Sequence, residues 1–513
     1  MAKRVRLARS RKTAGYTQES FAEALGVDRS TVVRWEAGDH EPLPYVRPKM
    51  ARLLVVSRDE LTELLRHRPS VYVDDVVPTA RSDEPGEHMP SHGALLLPVV
   101  IDGQPALLPL DVSALLKGRC HHGSPAQDDG GRGWSSADDT LHYAERLDST
   151  LHTIVELSGG DLKRRNVLLG AAFTTAAFAE PALFALTAPP VADAARDAGS
   201  RRIGMTDVEI LTDNIAHLRR IDFRYGSGRI RERAVQLLHH ETTRLLHGSY
   251  SDSTGRALLT AVAQAARLAA STAADAGRHA LAQRYYIQAL NLAMNAGNRL
   301  FAANMLSDMS RFTIQNATGR RCAHQAVALA RAGITVAGGR ATSTLAAQLS
   351  AVEARGHALC RDISATRAAV LEAERHYERF RPDSEPPWLS FYTEAELAAD
   401  LGRALRDSGE SARATRLMTR TLDSYEPWRV RSRCFVQTDL AVAYLVEGDH
   451  EHAAALTRDA LDTAGKVSSS RTVSRIRALQ QQIQPLQSGG LAGLDDEIAD
   501  FLRHSHDDEA ITT

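Results

Sequence analysis

TQESFAEALGVDRSTVVRWEAG, residues 17–38, holds two short helical patterns around one glycine. Thr17 is a predicted N-cap, and Phe21, Ala22 and Leu25 form an apolar stripe that stops at Gly26. Asp28 caps a second helix, whose buried face is Val32 and Trp35 and whose end is Gly38. Ala22 lets the two helices approach closely and Gly26 makes the sharp turn. The segment therefore predicts two crossed helices on a short connection, a helix-turn-helix.

The second of these helices carries the chemistry for reading a duplex. Arginine's planar fork donates to both O6 and N7 of guanine, a pattern no other base presents in the major groove, so Arg29 and Arg34 suit base readout. Ser30 and Thr31 serve either bases or phosphates. Lys3, Arg4, Arg6 and Arg9 add salt-dependent phosphate contacts without sequence information. An isolated arginine on a helix is most often a solvated charge, but at this spacing on this motif the DNA reading outweighs that one.

Residues 5–65 resemble the phage-repressor type of helix-turn-helix, the XRE family, through Thr17-Gln18, Ala22, Gly26-Val27, Val32, Trp35-Glu36 and Gly38. The resemblance implies a five-helix domain in which Gln18 opens the second helix and touches a phosphate, while Arg29, Ser30 and Arg34 face the major groove. It also implies that Arg11 on the first helix pairs with Glu36. The candidate DNA-binding residues are Lys3, Arg6, Gln18, Asp28, Arg29, Ser30, Thr31 and Arg34, and the expected partner is double-stranded DNA.

Outside this segment lies most of the chain, which at 513 residues has room for two or more domains. Apolar residues at 43%, aromatics at only 5% and abundant alanine favour helices packed through small residues over a β-sandwich or barrel. Cys120, Cys322, Cys360 and Cys434 include no CxxC pair, which argues against a disulfide framework or a structural zinc site. The opening residues are a basic run, not an apolar leader, so a cytoplasmic protein is expected, on the nucleoid when bound to DNA. Residues 1–68 carry 14 Lys or Arg against 9 Asp or Glu, yet the whole chain has a net charge of −1. A small basic head on a larger acidic body would meet any polyanion with the head.

Residues 69–140 lose helical periodicity and read as a linker, rich in Pro, Gly, Asp and Ser. Within it, residues 95–110 are apolar on both sides of Asp102-Gly103, the signal for a small β-hairpin. Residues 141–204 form a connecting helical region with an apolar helix at 167–186. Arg164-Arg165 before that helix resembles an export signal, but Glu180-Pro181 cuts the apolar run short of the ~20 residues a membrane span needs. A buried helix is expected there, and no membrane role.

From residue 205 to 484 helical patterns alternate with glycine turns. Leu401-Gly402, Leu405, Gly409, Ala414, Met418 and Thr421 have the spacing of a tetratricopeptide (TPR) unit. Leu440-Ala441, Tyr444, Gly448, Ala453, Thr457 and Ala460 repeat it, and Ala269-Ala270, Ala273, Gly277, Ala282, Tyr286 and Ala289 give a weaker copy. Stretches 307–330 and 345–373 drift from the pattern, and Ala414 and Ala453 are spaced wider than the ~34-residue TPR period. A TPR-like α-solenoid is the prediction, closed by a capping helix or acidic tail at 485–513. The fold class is all-α apart from the hairpin. A long helical region with Leu218-Arg219-Arg220-Ile221 and Tyr225-Gly226 behind such a head is similar to large actinobacterial XRE regulators with TPR-like C-terminal domains.

Other constellations are weaker. Cys120-His121-His122, Cys322 with His324, and the adjacent pair His239-His240 lack metal-site spacing, and no phosphate loop, GxSxG elbow or HExxH is present, so neither an enzyme nor a cofactor is expected. Tyr285-Tyr286, Trp388, Phe391, Tyr392 and Trp428 suit either a concave ligand groove or the core between hairpins. The expected function is sequence-specific transcriptional regulation, with the TPR-like body dimerising and taking a peptide, small-molecule or protein effector in its groove. The competing reading is a protein-binding scaffold whose head binds DNA non-specifically or not at all.

Overall fold

The computed structural model describes positions 7, 10, 11, 16–25, 27, 29–37, 42, 46–54, 61, 65, 96–101, 104–109, 139–141, 147–163, 173–188, 194–197, 199, 201–316, 319–486 and 491–511. The chain divides into two compact units, Met1–Asp128 and Asp129–Thr513.

In the first unit α1 (Gln18–Leu25), α2 (Arg29–Ala37) and α3 (Arg47–Leu54) surround one apolar core. Spacings of three and four residues place Phe21, Ala22 and Leu25 of α1 on one face, Val32 and Trp35 of α2 on another, and Met50, Ala51 and Leu54 of α3 on a third. Leu7, Ser10 and Arg11 before them, and Leu61 and Leu65 after them, are helical positions, and all but Ser10 are buried. The first and fifth helices otherwise lie outside the described residues. The turn after α1 is tied by the Val27 N–H donating to the Ala22 carbonyl at 3.0 Å. Farther along, β1 (Leu96–Ile101) pairs antiparallel with β2 (Gln104–Pro109), Leu96 opposite Pro109 and Ile101 opposite Gln104. Asp102 and Gly103 lie outside the described residues.

The second unit begins with α4 (Leu147–Leu162), α5 (Ala179–Thr187), α6 (Met205–Tyr225), α7 (Arg231–Gln236) and α8 (Thr242–Leu246). Five helical hairpins follow. They are α9 (Asp252–Asp275) with α10 (His279–Asn295), α11 (Arg299–Asn316) with α12 (Arg320–Ala337), α13 (Ser343–Leu359) with α14 (Ile363–Tyr377), α15 (Glu394–Asp407) with α16 (Ser411–Ser424), and α17 (Val430–Glu447) with α18 (His450–Ala464). The unit ends with α19 (Ser470–Ile483) and α20 (Leu494–Ile511), the latter burying Leu494, Ile498 and Leu502.

Each hairpin turns through one residue at positive φ: Gly277, Gly319, Arg361, Gly409 and Gly448. A Cβ crowds the backbone in this region, so glycine suits it, and Arg361 is the exception among the described residues. Inside the hairpins small residues set the helix spacing: a Cβ on Gly402 would lie 2.4 Å from Met418 Cγ, so only a bare Cα lets α15 and α16 meet as they do.

Two expectations change here. The apolar segment 167–186 is not one helix: Phe173 and Thr174 are non-helical, a 3₁₀ turn spans Thr175–Phe178, and α5 begins at Ala179. Pro181 sits in the first turn of α5, where its missing N–H has no intrahelical partner to lose, so it helps start this helix. Residues 167–172 lie outside the described residues. Among the described helices α9, not this segment, is long and apolar enough to cross a membrane, and 78% of its apolar window is buried within the helical body.

The body also closes on itself. In an open solenoid each repeat touches only its neighbours. Here Arg431 on α17 pairs with Asp222 on α6 across 209 residues of chain, at 2.6 Å and 2.8 Å. The Ser468 N–H donates to the Tyr225 carbonyl at 2.9 Å, and the Gly228 N–H to the Ser468 carbonyl at 3.1 Å. Gly226 (φ 84°) permits this seam, because a Cβ there would sit 2.2 Å from the Ser468 carbonyl oxygen.

Candidate functional site

In the head, burying Val32 and Trp35 turns the opposite face of α2 outward, and Arg29 and Val33 are exposed while Thr31 is half-buried. Ser30 and Arg34 fall within α2, with their side chains outside the described set; Lys3, Arg6 and Asp28 lie outside the described residues altogether.

Behind that face is a buried polar knot. Arg11 Nε donates to Glu36 Oε1 at 2.6 Å, Arg11 Nη2 to Glu36 Oε2 at 3.3 Å, and Arg11 Nη1 to the Tyr16 carbonyl at 2.6 Å. Gln18 Nε2 donates to Glu36 Oε2 at 2.7 Å. Glu36 thus links Arg11 in the helical segment that precedes α1, the start of α1 and the end of α2, fixing the angle at which α2 is presented. It also holds the Gln18 amide at the start of α1. Arg11 and Glu36 are both at least nine-tenths buried, so removing one leaves the other charged and unpaired. Glu36→Ala should cost the head roughly 3 kcal/mol, the low end for uncovering half of a buried pair. Equal urea midpoints for the variant and the parent would contradict this.

The body places arginine–carboxylate clusters where the helices face inward. Asp400 on α15 is 1% exposed; its Oδ2 accepts from Arg311 Nη1 at 2.6 Å and the Tyr392 hydroxyl at 3.1 Å, its Oδ1 from Arg403 Nη1 at 3.2 Å and Arg355 Nη1 at 3.3 Å. Asp439 on α17 accepts from Arg403 Nε at 2.5 Å, Arg406 Nη1 at 2.7 Å and Arg475 Nη1 at 2.9 Å. Asp275 accepts from Arg471 Nε at 2.6 Å and the Ser469 hydroxyl at 2.7 Å. Burial works against all three carboxylates, but the facing guanidiniums overcome it and hold them below the usual carboxylate range.

These clusters border a partly open cavity of about 160 Å³. Its wall holds six arginines (Arg219, Arg267, Arg311, Arg403, Arg471 and Arg475) against three carboxylates, Asp222, Asp308 and Glu396. Two phenyl rings in the wall each carry two guanidiniums: Arg219 and Arg267 at 3.7 Å and 4.6 Å from the Phe391 centroid, Arg475 and Arg471 at 4.5 Å and 5.8 Å from that of Phe435.

The aromatic residues singled out in the sequence divide between the cavity wall and the packed interior. Tyr286, Phe391 and Tyr392 line the cavity. Tyr285 is buried with its hydroxyl donating to Asp161 at 3.0 Å, Trp388 packs edge-on against Phe301 and Trp428 against Phe223. The histidine pairs have other surroundings: His239 Nδ1 lies 3.0 Å from the Ser158 hydroxyl, and His324 Nδ1 lies 3.6 Å from Cys360 Sγ. Among the described residues no three His, Cys, Asp or Glu side chains group as a metal site would. Cys120-His121-His122 lie outside the described residues. Sequence reading missed the arginine wall, because Arg267, Arg311, Asp400 and Arg403 look like ordinary charged helix positions until the neighbouring helices bury them. The available signal was their position one turn from apolar core residues.

Compared with known families, residues 7–61 match the helix-turn-helix family. Among solved structures the chain is similar to a crystal structure of a Podosopora anserina kinesin light chain with nearly identical TPR-like repeats, at 16% identity and a TM-score of 0.28, over 40% of this chain and 94% of that one. No curated protein matches the chain. The N-terminal unit contains a helix-turn-helix domain, and the C-terminal unit is a body of packed helical hairpins.

Proposed function

We propose that this chain is a sequence-specific DNA-binding transcriptional regulator, non-enzymatic and cytoplasmic, whose helical body dimerises and answers to an effector. The observation that carries the reading is the helix-turn-helix match over residues 7–61 together with the exposed Arg29 at the start of α2. In such domains the first residues of the second helix meet base edges, and an arginine there reads guanine through two parallel hydrogen bonds. Gln18, Asp28, Ser30, Thr31 and Arg34 complete the proposed reading surface, with Lys3 and Arg6 on phosphates. Residues 69–140, including the paired strands, are proposed as the linker between reader and sensor.

The test is selection of bound duplexes from random sequence, followed by salt titration on the selected site and a scrambled one. A reader keeps a specificity gap at every salt concentration, whereas a merely basic head shows the salt slope alone. The second outcome would favour the scaffold reading. Within the selected site, Arg29→Ala should cost about 1 to 3 kcal/mol and relax preference at one base pair, with little change on scrambled DNA. An equal loss on both duplexes would move Arg29 to the phosphate backbone.

A further inference from the structure

The carboxylates around the cavity leave one of its cations without an ion pair: Arg311 and Arg403 have Asp400, Arg475 has Asp439 and Arg471 has Asp275. Asp308 is taken by Arg267, Asp222 by Arg431, and Glu396 by Arg429 and the Ser432 hydroxyl. Arg219 is left over: among the described residues its partners are the Trp388 carbonyl at 3.3 Å and the face of Phe391, and no carboxylate. Burial, and then the neighbouring Arg267, push its pKa well below the ordinary arginine value, so its charge is held at a cost. Arg311 Nη2 is likewise buried without a partner. Arg219 is half-buried, and a protein seldom retains a partly desolvated cation without an ion pair for stability, because the lost hydration is not repaid.

Arg219 and Arg267 lie over one ring of the cavity wall, and Arg471 and Arg475 over another. We propose that this cavity binds a compact polyanion bearing at least two phosphoryl groups, with Arg219 as the residue that binding completes. Guanidinium forks match phosphoryl oxygens in pairs, and the phenyl faces hold the forks in place beforehand. The small volume and the seam between α6 and α17 favour a compact anion over an extended peptide, which needs an open-ended groove. The inference rests on the reading of the body as the sensing part, and it names the chemical class sensed.

The experiment uses the full chain in phosphate-free buffer at constant ionic strength. Thermal unfolding is followed against inorganic pyrophosphate, ADP and tetraglutamate, with no DNA present. Pyrophosphate should raise Tm and saturate; a lower half-saturation for ADP would identify a nucleotide as the source of the phosphates, and equal or weaker ADP binding would identify a free polyphosphate. Arg219→Gln should unfold at the same or a higher temperature than the parent without ligand, since it removes an unpaired charge. Its half-saturation should rise by about tenfold or more, the worth of a charge-assisted pair of hydrogen bonds. Arg219→Lys should recover part of the response. Absence of a saturable shift with either phosphate, a response to tetraglutamate alone, or an unchanged response in Arg219→Gln would overturn the proposal. None of these outcomes touches DNA recognition, which is measured separately, so the two readings fail independently.

Discussion

Asp400→Ala should unfold the body at a markedly lower denaturant concentration, with a loss at or above the upper end of the about 3 to 5 kcal/mol typical of breaking a buried ion pair. The reason is the number of cations that the carboxylate serves. Arg403 keeps Asp439, but Arg311 and Arg355 have Asp400 as their carboxylate partner, and each of the three lies within 3.3 Å of it. Arg355 is the least securely held: burial, reinforced by Arg403 and Arg311, brings its pKa down to about 10 despite the attraction of Asp400. Replacing Arg355 by Met should therefore cost clearly less than replacing Asp400, because it removes a crowded cation and leaves the carboxylate still paired. Urea unfolding of both variants checks the order, and an Arg355→Met loss as large as that of Asp400→Ala would show that the guanidinium's packing, not charge balance, dominates.

The same carboxylates give the body an acid limit. Asp275, Asp400 and Asp439 titrate below the unfolded value of about 3.9, so the unfolded chain takes up protons first as pH falls. Their contribution is fully present above that value and is lost as pH drops toward their folded pKa. In Asp400→Asn the stability should be lower at neutral pH and should fall less steeply below pH about 4, where one proton-linked group has been removed.

What the sequence made legible depended on how local the cause was. The head was readable because Phe21, Ala22, Leu25, Val32 and Trp35 bury one another within a few turns of chain, and helix periodicity reports that arrangement directly. The hairpins were readable where glycine marked the left-handed turn, as at Gly277, Gly409 and Gly448. The drifting repeat at 345–373 turns at the corresponding place with Arg361, a residue that sends no turn signal, because the tertiary structure imposes the conformation. The Arg431–Asp222 seam and the arginine wall lay beyond reach for a similar reason. Their residues come from helices more than two hundred positions apart in the chain, and charge on a helix looks the same whether water or another helix faces it. Ridge spacing predicts that helices pack, not which distant ones close a ring.

Residues 1–128, the first compact unit, should remain folded when expressed alone but bind the operator about 10² to 10⁴-fold more weakly than the full chain. A single recognition helix reaches only a few base pairs, and helix-turn-helix proteins gain specificity by setting two heads on half-sites about one DNA turn apart. If the body holds two chains together, the second head binds at a high effective concentration, and cutting the body away forfeits that gain without altering any contact to a base. Two measurements separate this cause from a damaged head. Light scattering should report a dimer for the full chain and a monomer for the fragment, and both should show equal affinity on an isolated half-site. Operator affinity of the fragment matching that of the full chain would sink the paired-head arrangement and leave the body free to act on other proteins. A dimeric fragment would instead move the pairing surface into residues 1–128, and the polyanion site would then have to work through something other than head spacing.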